Sequence, residues 1–378
     1  MTNLHRMMMG AAGVVGETGY GMWMWGNNGG GTLGQGTTIV GGTDEVSSPV
    51  QVGGKTWASG SVGDQSSFGI PNTEGSLWAW GENGSGELGL GDVASRSSPV
   101  QIGSLTTWSF VQAGQHHTAA IKTDGTLWIW GTNTTGQLGD GTAISRSSPV
   151  QVGSLTTWSK VVCGQSMTAA IKTDGTLWSW GSNYRGQLGQ GDAGTGKFRS
   201  SPVQVGSLTT WASVHAGRTV AAAIKTDGTL WVWGRNFYGE VGDGTTIMRS
   251  SPVQVGTATD WSKVTCGFGP VLAIKTGGTL WAWGIGNNGV QGHGDVIRRS
   301  SPVQVGALTT WSAVSTGCVN TSTSAFKTDG TIWAWGLNSR GQMGDSTDTS
   351  RSSPVQIGSD TDWLSIVQGG LNGQAIKE

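Results

Sequence analysis

Charged side chains are scarce in this 378-residue chain: Asp, Glu, Lys and Arg together make up 12% of it, about half the usual share in soluble domains. The formal net charge at pH 7 is -1. A balance this close to neutral provides no overall electrostatic attraction to nucleic acid or to an anionic membrane surface. We therefore predict no nucleic-acid partner, and we expect any charge-driven partner to be bound by a local cluster.

Cysteine is also rare. The three cysteines are Cys163, Cys266 and Cys318, and no two of them have C-x-x-C spacing, which argues against a disulfide framework or a zinc site. Cys163 and Cys266 occupy one position of an internal repeat, where other copies carry Ala113 and Ala216. We predict that they are small core residues with free thiols.

Long apolar runs are missing as well. No stretch approaches the ~20 residues that a membrane-spanning helix requires, so we predict no membrane span. Residues 1–19 form a separate arm rich in Gly, Ala and Met, in which Arg6 precedes a short apolar stretch at residues 7–15. This stretch imitates a signal peptide, but it is short and interrupted by glycine. We favour an arm that docks to another subunit.

Glycine and tryptophan, by contrast, are abundant, at 67 and 21 residues, and both follow a repeat of about 50 residues. The string W-x-W-G begins at Trp23, Trp78, Trp128, Trp178, Trp231, Trp281 and Trp333. The string S-S-P-V-Q recurs in step with it, from Ser47 to Ser352. Three tryptophans in each of seven repeats account for all 21, which leaves none for a separate ligand platform.

Each repeat has the pattern of four short strands, which we name A to D. In the unit at residues 107–153 they are predicted at 109–113, 118–122, 126–130 and 149–152. Asp124-Gly125 joins B to C as a tight hairpin turn, because this pair favours positive φ. On strand C, Trp128 and Trp130 alternate with Leu127 and Ile129, so both of its faces are apolar and need neighbouring sheets.

The repeat is out of phase with the ends of the chain. Residues 20–378 begin with a strand C at 21–25 and a strand D at 49–52, and they finish with a strand A at 364–368 and a strand B at 374–377. Joined, these four strands complete a seventh sheet, and a ring closed in this way buries strand edges that would otherwise invite aggregation. We predict an all-β fold: a seven-bladed β-propeller of four-stranded antiparallel blades whose last blade combines both ends.

The pattern G-T-L-W-x-W-G-x-N-x-x-G-Q-L-G-D-G, intact from Gly125 to Gly141, resembles the repeats of the regulator of chromosome condensation family. The resemblance implies a seven-bladed propeller with the same split blade. The family includes a nucleotide exchange factor for a small GTPase, ubiquitin-ligase modules and secreted inhibitors, so the fold does not decide the function. The closely similar repeats and the S-S-P-V-Q strand look more like bacterial and tailed-phage members.

This sequence departs from the exchange factor of that family. Only His5 and Arg6 stand where the factor has a basic tail, and no repeat carries a long wedge-like insertion. The family string G-x-x-H-T is matched only at residues 114–118, which include His117. Exchange activity is therefore the least favoured of the binding functions.

Three short motifs are interpreted as accidental. Residues 284–289 fit G-x-G-x-x-G but are not followed by the start of a helix. Residues 191–197 fit G-x-x-x-x-G-K, yet Phe198 stands where Ser or Thr must ligate magnesium. His116 and His117 are adjacent, and adjacent strand residues seldom reach one metal. We predict no metal, no cofactor and no catalytic residues.

The loops separate the two faces of the ring. The B-to-C and D-to-A connections are nearly uniform, whereas the A-to-B and C-to-D loops differ between repeats, and binding residues concentrate on such loops. One sector of this variable face is rich in the aromatic and arginine residues that dominate binding hot spots. The candidate partner-binding residues are Tyr184, Arg185, Lys197, Phe198, Arg218, Arg235, Phe237, Tyr238 and Phe268. Alternatively, Tyr184 or Phe237 packs beneath its own loop.

Together these features predict a non-catalytic recognition or assembly propeller with a protein partner, a component of the virion or of the host surface. The leading expectation is a tail-associated or decoration protein in a tailed-phage virion. The alternative is a secreted or surface binding protein or inhibitor of a bacterium, and a guanine-nucleotide exchange factor is less favoured.

Overall fold

A computed structural model describes residues 20–36, 45–317 and 321–378. These residues form seven four-stranded antiparallel sheets, and none of them lies in an α-helix. One-turn 3-10 helices occur at Gly29–Gly31 and Asn287–Gly289. Within these ranges no helix is long and apolar enough to cross a bilayer. The fold class predicted from the repeat is confirmed, while the 1–19 arm and Cys318 lie outside the described residues.

Blade 7 begins with the first two strands of the chain, β1 (Gly21–Asn27) and β2 (Glu45–Gln51). Blade 1 contains β3 (Trp57–Val62), β4 (Ser66–Pro71), β5 (Trp78–Gly81) and β6 (Arg96–Gln101), and blade 2 contains β7 (Trp108–Ala113), β8 (His117–Lys122), β9 (Leu127–Gly131) and β10 (Arg146–Gln151). Blade 3 contains β11 (Trp158–Cys163), β12 (Met167–Lys172), β13 (Leu177–Gly181) and β14 (Arg199–Gln204), and blade 4 contains β15 (Trp211–Ala216), β16 (Val220–Lys225), β17 (Leu230–Gly234) and β18 (Arg249–Gln254). Blade 5 contains β19 (Trp261–Cys266), β20 (Pro270–Lys275), β21 (Leu280–Gly284) and β22 (Arg299–Gln304), and blade 6 contains β23 (Trp311–Thr316), β24 (Ser322–Lys327), β25 (Ile332–Gly336) and β26 (Arg351–Gln356). The chain ends with β27 (Trp363–Gln368) and β28 (Asn372–Lys377), which complete blade 7.

The closure of the ring is as predicted. Blade 7 has the strand order β2-β1-β28-β27, and β1 pairs with β28 in continuous antiparallel register from Gly21 opposite Lys377 to Gly26 opposite Asn372. Strand D is longer than predicted, because Arg146 already pairs with Gly131 across an irregularity in the ladder. The polar residues before the proline are therefore part of the outer strand.

Neighbouring blades sandwich each strand C, as its two apolar faces required. In blade 2, Trp128 and Trp130 face the core shared with blade 1, whereas Leu127 and Ile129 face the core shared with blade 3. Trp130 is fully buried, and its indole Nε1 donates to the carbonyl of Glu87 in the preceding blade at 2.7 Å. The second tryptophan of W-x-W thus joins two blades by both packing and hydrogen bonding.

The B-to-C turn is held by a short relay of hydrogen bonds. The Asp124 carboxylate accepts from the backbone N–H of Thr126 at 2.9 Å and from its hydroxyl at 2.7 Å. The hydroxyl oxygen in turn accepts from the indole of Trp128 at 2.9 Å. These bonds hold the pKa of Asp124 below its ordinary value. The turn aspartates are structural, as the sequence indicated.

Most remaining charges are also framework. Each arginine of the R-S-S-P strands pairs with an aspartate in its own blade, as Arg146 does with Asp140 at 3.0 Å. The lysine that ends a strand B lies over two indoles: Lys172 Nζ is 3.7 Å from the ring centroid of Trp178 and 5.1 Å from that of Trp158. These cations stabilise the blades and are not free to bind a partner.

The A strands lie next to the axis, since each contacts the A strands of both neighbouring blades. At the variable-face end of these strands, seven glycines form a ring: Gly63, Gly114, Gly164, Gly217, Gly267, Gly317 and Gly369. A Cβ atom at any one of them would collide with the carbonyl oxygen of the next. No larger residue fits this ring without a shift of backbone. Cys163 and Cys266, just before two of these glycines, are buried core residues, as predicted.

Candidate partner-binding face

The A-to-B and C-to-D loops meet on one face of the ring. Thr135, in the C-to-D loop of blade 2, donates its hydroxyl to the carbonyl of Ser166 in the A-to-B loop of blade 3 at 3.4 Å. Arg235, in the C-to-D loop of blade 4, likewise donates to the carbonyl of Phe268 in the A-to-B loop of blade 5 at 3.2 Å. The loops that vary in sequence therefore form one continuous surface.

A buried asparagine organises the C-to-D loop of every blade except blade 5, where Gly286 stands at this position. In blade 4, the Asn236 side-chain carbonyl accepts from the backbone N–H of Val241 at 2.8 Å, and its amide donates to the carbonyl of Ile247 at 3.0 Å. Asn183 accepts from Leu188 in the same way at 3.1 Å. The two residues after this asparagine project from a fixed backbone, and they are the residues that differ between blades.

One group of predicted residues lies at the junction of blades 3 and 4. The guanidinium of Arg185 lies 4.7 Å from the ring centroid of Tyr184 and 4.7 Å from that of Phe237. Tyr184 is 54% exposed and Phe237 is 49% exposed. Neither ring packs beneath its own loop, so the alternative considered for them is not what the structure shows. They form an exposed stack with an arginine between them.

A second group joins the A-to-B loops of blades 3, 4 and 5. Arg218 donates from Nε to the side-chain carbonyl of Gln165 at 2.8 Å, and its guanidinium lies 4.4 Å from the ring centroid of Phe268. The pKa of Arg218 is lowered by burial and by the positive charge of Arg235. The arginine is thus held by contacts to both neighbouring blades, and no carboxylate of the described residues pairs with it.

Arg235 is a mostly buried residue of this surface. Its guanidinium forms an ion pair with Glu240 at 2.9 Å, where the glutamate side chain is fully buried and the arginine is 15% exposed. The ring centroid of Tyr238 lies 5.5 Å from the guanidinium of Arg235 and 4.1 Å from the guanidinium of Arg298 in blade 5. Arg298 belongs to the same sector, although the sequence-based prediction did not include it.

Lys197 and Phe198 stand apart from the other seven candidates. They end the long C-to-D loop of blade 3, directly before the outer strand β14, and both are exposed. Arg199 donates to their backbone carbonyls at 3.3 Å. Among the described residues, their side chains form no hydrogen bond, ion pair or cation–π contact with the other candidates. The structure therefore brings together seven of the nine residues and places these two at the rim.

The opposite side of the variable face is acidic. Asp64, Glu82 and Glu87 lie around His116, and the His116 Nδ1 is 3.9 Å from a carboxylate oxygen of Glu87. The pKa of His116 is raised, chiefly by its contact with Glu87 and also by the charges of Asp64 and Glu82. Burial raises the pKa of Asp64 and of Glu82. The acidic sector at blades 1 and 2 thus faces the basic sector at blades 3 to 5 across the axis.

The histidine pair has two separate environments. His117 is buried, and its Nε2 lies 3.0 Å from the hydroxyl of Thr168 in blade 3, whereas His116 faces the acidic sector. Burial lowers the pKa of His117 to about 3. No group of three His, Cys, Asp or Glu side chains within the described ranges could hold a metal ion.

The two glycine motifs also lack the required context. The motif at residues 284–289 ends in a single 3-10 turn, Asn287–Gly289, and no longer helix follows it. The motif at residues 191–197 is followed by strand β14. A phosphate site of either kind needs the amino terminus of a true helix. Both are connections between strands, as interpreted from the sequence.

Family models describe the same repeat. The model of the RCC1-like domain matches residues 10–321, and the model of the Regulator of chromosome condensation (RCC1) repeat matches residues 329–370. No curated protein matches the chain.

Solved structures share the architecture. Human WBSCR16 superposes with a TM-score of 0.84 at 19% identity, covering 96% of this chain and 99% of that one. Prp20p from Saccharomyces cerevisiae, described with its binding to Gsp1p and histones, gives 0.83 at 18% identity, covering 96% and 92%. The yeast RCC1 (Prp20) chain bound to Kap60 gives 0.83 at 17%, covering 97% and 95%. Identities this low show likeness of fold alone.

Proposed function

The chain belongs to the RCC1-like domain family, and from that premise we propose that it is a non-catalytic recognition or assembly propeller. Its protein partner docks on the variable face over blades 3 to 5. A rigid ring with individual loop side chains on one face suits recognition, because the loops are already ordered before binding and little conformational entropy is lost.

The unpaired cations of this sector carry the proposal. Every R-S-S-P arginine has a carboxylate partner. Within the described residues, however, Arg185, Arg218 and Arg298 of the sector form no ion pair, and neither does Lys197 at its rim. Three of these four lie against aromatic rings. Arginine and aromatic side chains dominate binding hot spots, and cations left without a partner favour an acidic one.

The acidic sector around His116 orients that partner. A negatively charged segment is attracted by blades 3 to 5 and repelled by Glu82 and Glu87 at blade 1. We therefore infer a partner whose docking surface is acidic where it meets Arg185 and Arg298. Such steering weakens with ionic strength, because salt screens charges beyond about 8–10 Å.

The finer assignment is a component of a tailed-phage virion, either tail-associated or decorating the capsid, with the virion as its location. Seven closely similar blades and a terminal arm, which we propose docks to another subunit, support this role. A secreted or surface binding protein of a bacterium is the second candidate, since it would use the same exposed rings. The yeast relative is described with Gsp1p and histones, but no wedge-like insertion supports an exchange function in this chain.

The test uses three alanine variants, R185A, R218A and Y238A. A central hot spot contributes ~2 kcal/mol or more on truncation, so each variant should bind the partner about thirtyfold more weakly. Until the partner is identified, the probe is a Glu-rich peptide with its Lys-rich counterpart as the negative ligand. Binding should be selective for the acidic peptide and should decrease with salt.

The matched control is R340A, at the loop position of blade 6 that corresponds to Arg185. Arg340 pairs with Glu45 at 2.7 Å, and its removal should leave binding unchanged. Variants at Thr156 and Thr157, exposed on the uniform face, serve as further controls. Normal binding by all three sector variants together with loss in the uniform-face variants would assign docking to the opposite side.

A further inference from the structure

Besides the partner-binding sector, the third residue of each A strand defines a second position at which charged side chains occur, close to the axis of the ring. Repeat by repeat, these residues are Ser59, Phe110, Lys160, Ser213, Lys263, Ala313 and Ser365. All seven are half-buried, and the strands that carry them encircle the axis. Two lysines therefore stand in blades 3 and 5, at positions where the other blades place small or neutral side chains.

Neither lysine is neutralised by the protein. Lys160 donates from Nζ to the backbone carbonyl of Ala212 in the neighbouring strand β15, and no carboxylate of the described residues pairs with Lys160 or Lys263. The pKa of each is lowered by burial, and that of Lys160 also by the charge of Lys263. Two ammonium groups without a carboxylate partner among the described residues thus stand on the inner ring of strands, two blades apart.

Solvent reaches this position from the uniform face. Ser159 and Ser262, directly before the two lysines, are exposed although they lie on the innermost strands. At the other end of the same strands the glycine ring brings the backbones together. Ser213, on the strand between the two lysine-bearing strands, adds a half-buried hydroxyl.

We propose that a small oxyanion binds near the axis between Lys160 and Lys263, with the Ser213 hydroxyl as a further donor. Two ammonium groups and a hydroxyl match the charge and the acceptor oxygens of phosphate or sulfate. A carboxylate presented by a partner protein offers the same chemistry in a weaker, singly charged form. The site lies on the axis and does not depend on the partner-binding sector proposed above.

The experiment measures thermal melting of the full chain in phosphate, in sulfate, in acetate and in sodium chloride at matched ionic strength. At ten times its Kd, phosphate should raise the folding equilibrium constant about elevenfold. The melting temperature should then rise by about 2 °C and continue to rise with the logarithm of the phosphate concentration. The double variant K160M/K263M should lose this response. Because it removes repelling charges, the variant should be at least as stable as the parent when no oxyanion is added.

Two controls separate this site from others. K197M removes an exposed lysine at the rim, and R218A removes a cation of the partner-binding sector, and both should keep the full phosphate response. A stronger shift with phosphate and sulfate than with acetate indicates a free inorganic oxyanion, whereas a shift confined to acetate indicates a partner carboxylate. A parent that responds equally to phosphate and sodium chloride, or a double variant that responds like the parent, would overturn the proposal.

Discussion

Trp23 in β1 lies directly opposite Ala375 in β28, so residues from the two ends of the described chain are antiparallel neighbours in one sheet. The same sheet anchors to blade 6 through Trp25, whose indole donates to the carbonyl of Gln342 at 3.0 Å. Ring closure therefore depends on strand pairing between the two ends of the described chain.

Deleting residues 369–378 should abolish stable folding. The deletion removes β28, and both β27 and β1 lose their partner on that side. Domains are stable by only ~5–15 kcal/mol, so loss of a central strand and its core contacts should unfold most of the chain. Circular dichroism with denaturant titration measures this. A permutant with new ends between Asp124 and Gly125 and the old ends joined should fold, because that turn is exposed; a deletion variant that melts like the parent would refute the closure.

Replacing a ring glycine by alanine should destabilise the propeller. At Gly217 an added Cβ would lie 2.6 Å from the carbonyl oxygen of Gly267 and 2.8 Å from that of Cys266, and backbone atoms cannot move aside independently. We expect G217A to cost about 1–3 kcal/mol, as overpacking does. The matched control is G277A, since nothing lies within 4 Å of an added Cβ at Gly277. Equal melting of the two variants would contradict the close packing of the ring.

Gly277 itself offers a gain of stability. Four other blades carry aspartate at this turn position, where it accepts two hydrogen bonds from a threonine, as Asp124 does from Thr126. In blade 5, Thr279 still accepts from the indole of Trp281 at 3.0 Å. G277D should stabilise the chain by about 0.5–2 kcal/mol, part from the new bonds and part from a less flexible unfolded chain. Because G277A reports the second part alone, equal stability of the two variants would show that the bonds add nothing.

Acid should destabilise the protein through His117. Burial lowers its pKa to about 3, so the folded chain keeps it neutral while the unfolded chain, with an ordinary pKa of about 6.5, takes up a proton. The contribution is complete above pH ~6.5 and decreases as the pH falls toward ~3, by about 2 kcal/mol between pH 7 and pH 5. H117M, which copies Met167 of the next repeat, should flatten this dependence in denaturant titrations.

His116 acts in the opposite direction. Its pKa is raised by Glu87, so its contribution is present at acidic pH and is lost as the pH rises through the raised pKa. H116Q should therefore make the acid loss steeper, whereas H117M makes it shallower. If both substitutions change the pH profile in the same sense, the two environments are assigned wrongly.

The fold could be predicted because the sequence repeats itself seven times and each repeat carries its own turn and core signals. Strand D begins earlier than predicted, since Arg146 pairs with Gly131 although Arg-Ser-Ser has no clear strand pattern. The candidate sector could be predicted only in part. Arg298 belongs to it through contact with a ring of the preceding blade, and such contacts depend on how blades pack. The only sign of this contact in the sequence is Arg298 itself, an additional arginine directly before the R-S-S-P string of blade 5.

The axial lysines were hidden for a related reason. Lys160 and Lys263 lie on strands that otherwise look like ordinary inner strands. No charged residue stands near Lys160 in the sequence, and Asp260, which precedes Lys263, pairs with Lys275 instead. Their proximity arises from the closed ring, which places blades 3 and 5 on either side of blade 4. An alignment of the seven repeats shows the two lysines as exceptions at the third residue of strand A, where the other repeats carry uncharged residues.

The split of blade 7 between the two ends has a consequence for how a gene of this kind can change length. Residues 146–158 and 199–211 are identical, so unequal crossing-over between them would delete one repeat unit in register. The excised unit runs from the outer strand of one blade, or the link that follows it, to the same point in the next blade, and the terminal strands of blade 7 are untouched. Recombination would thus always yield whole blades, six or eight, and the fit of the glycines around the axis would decide which of these products persists.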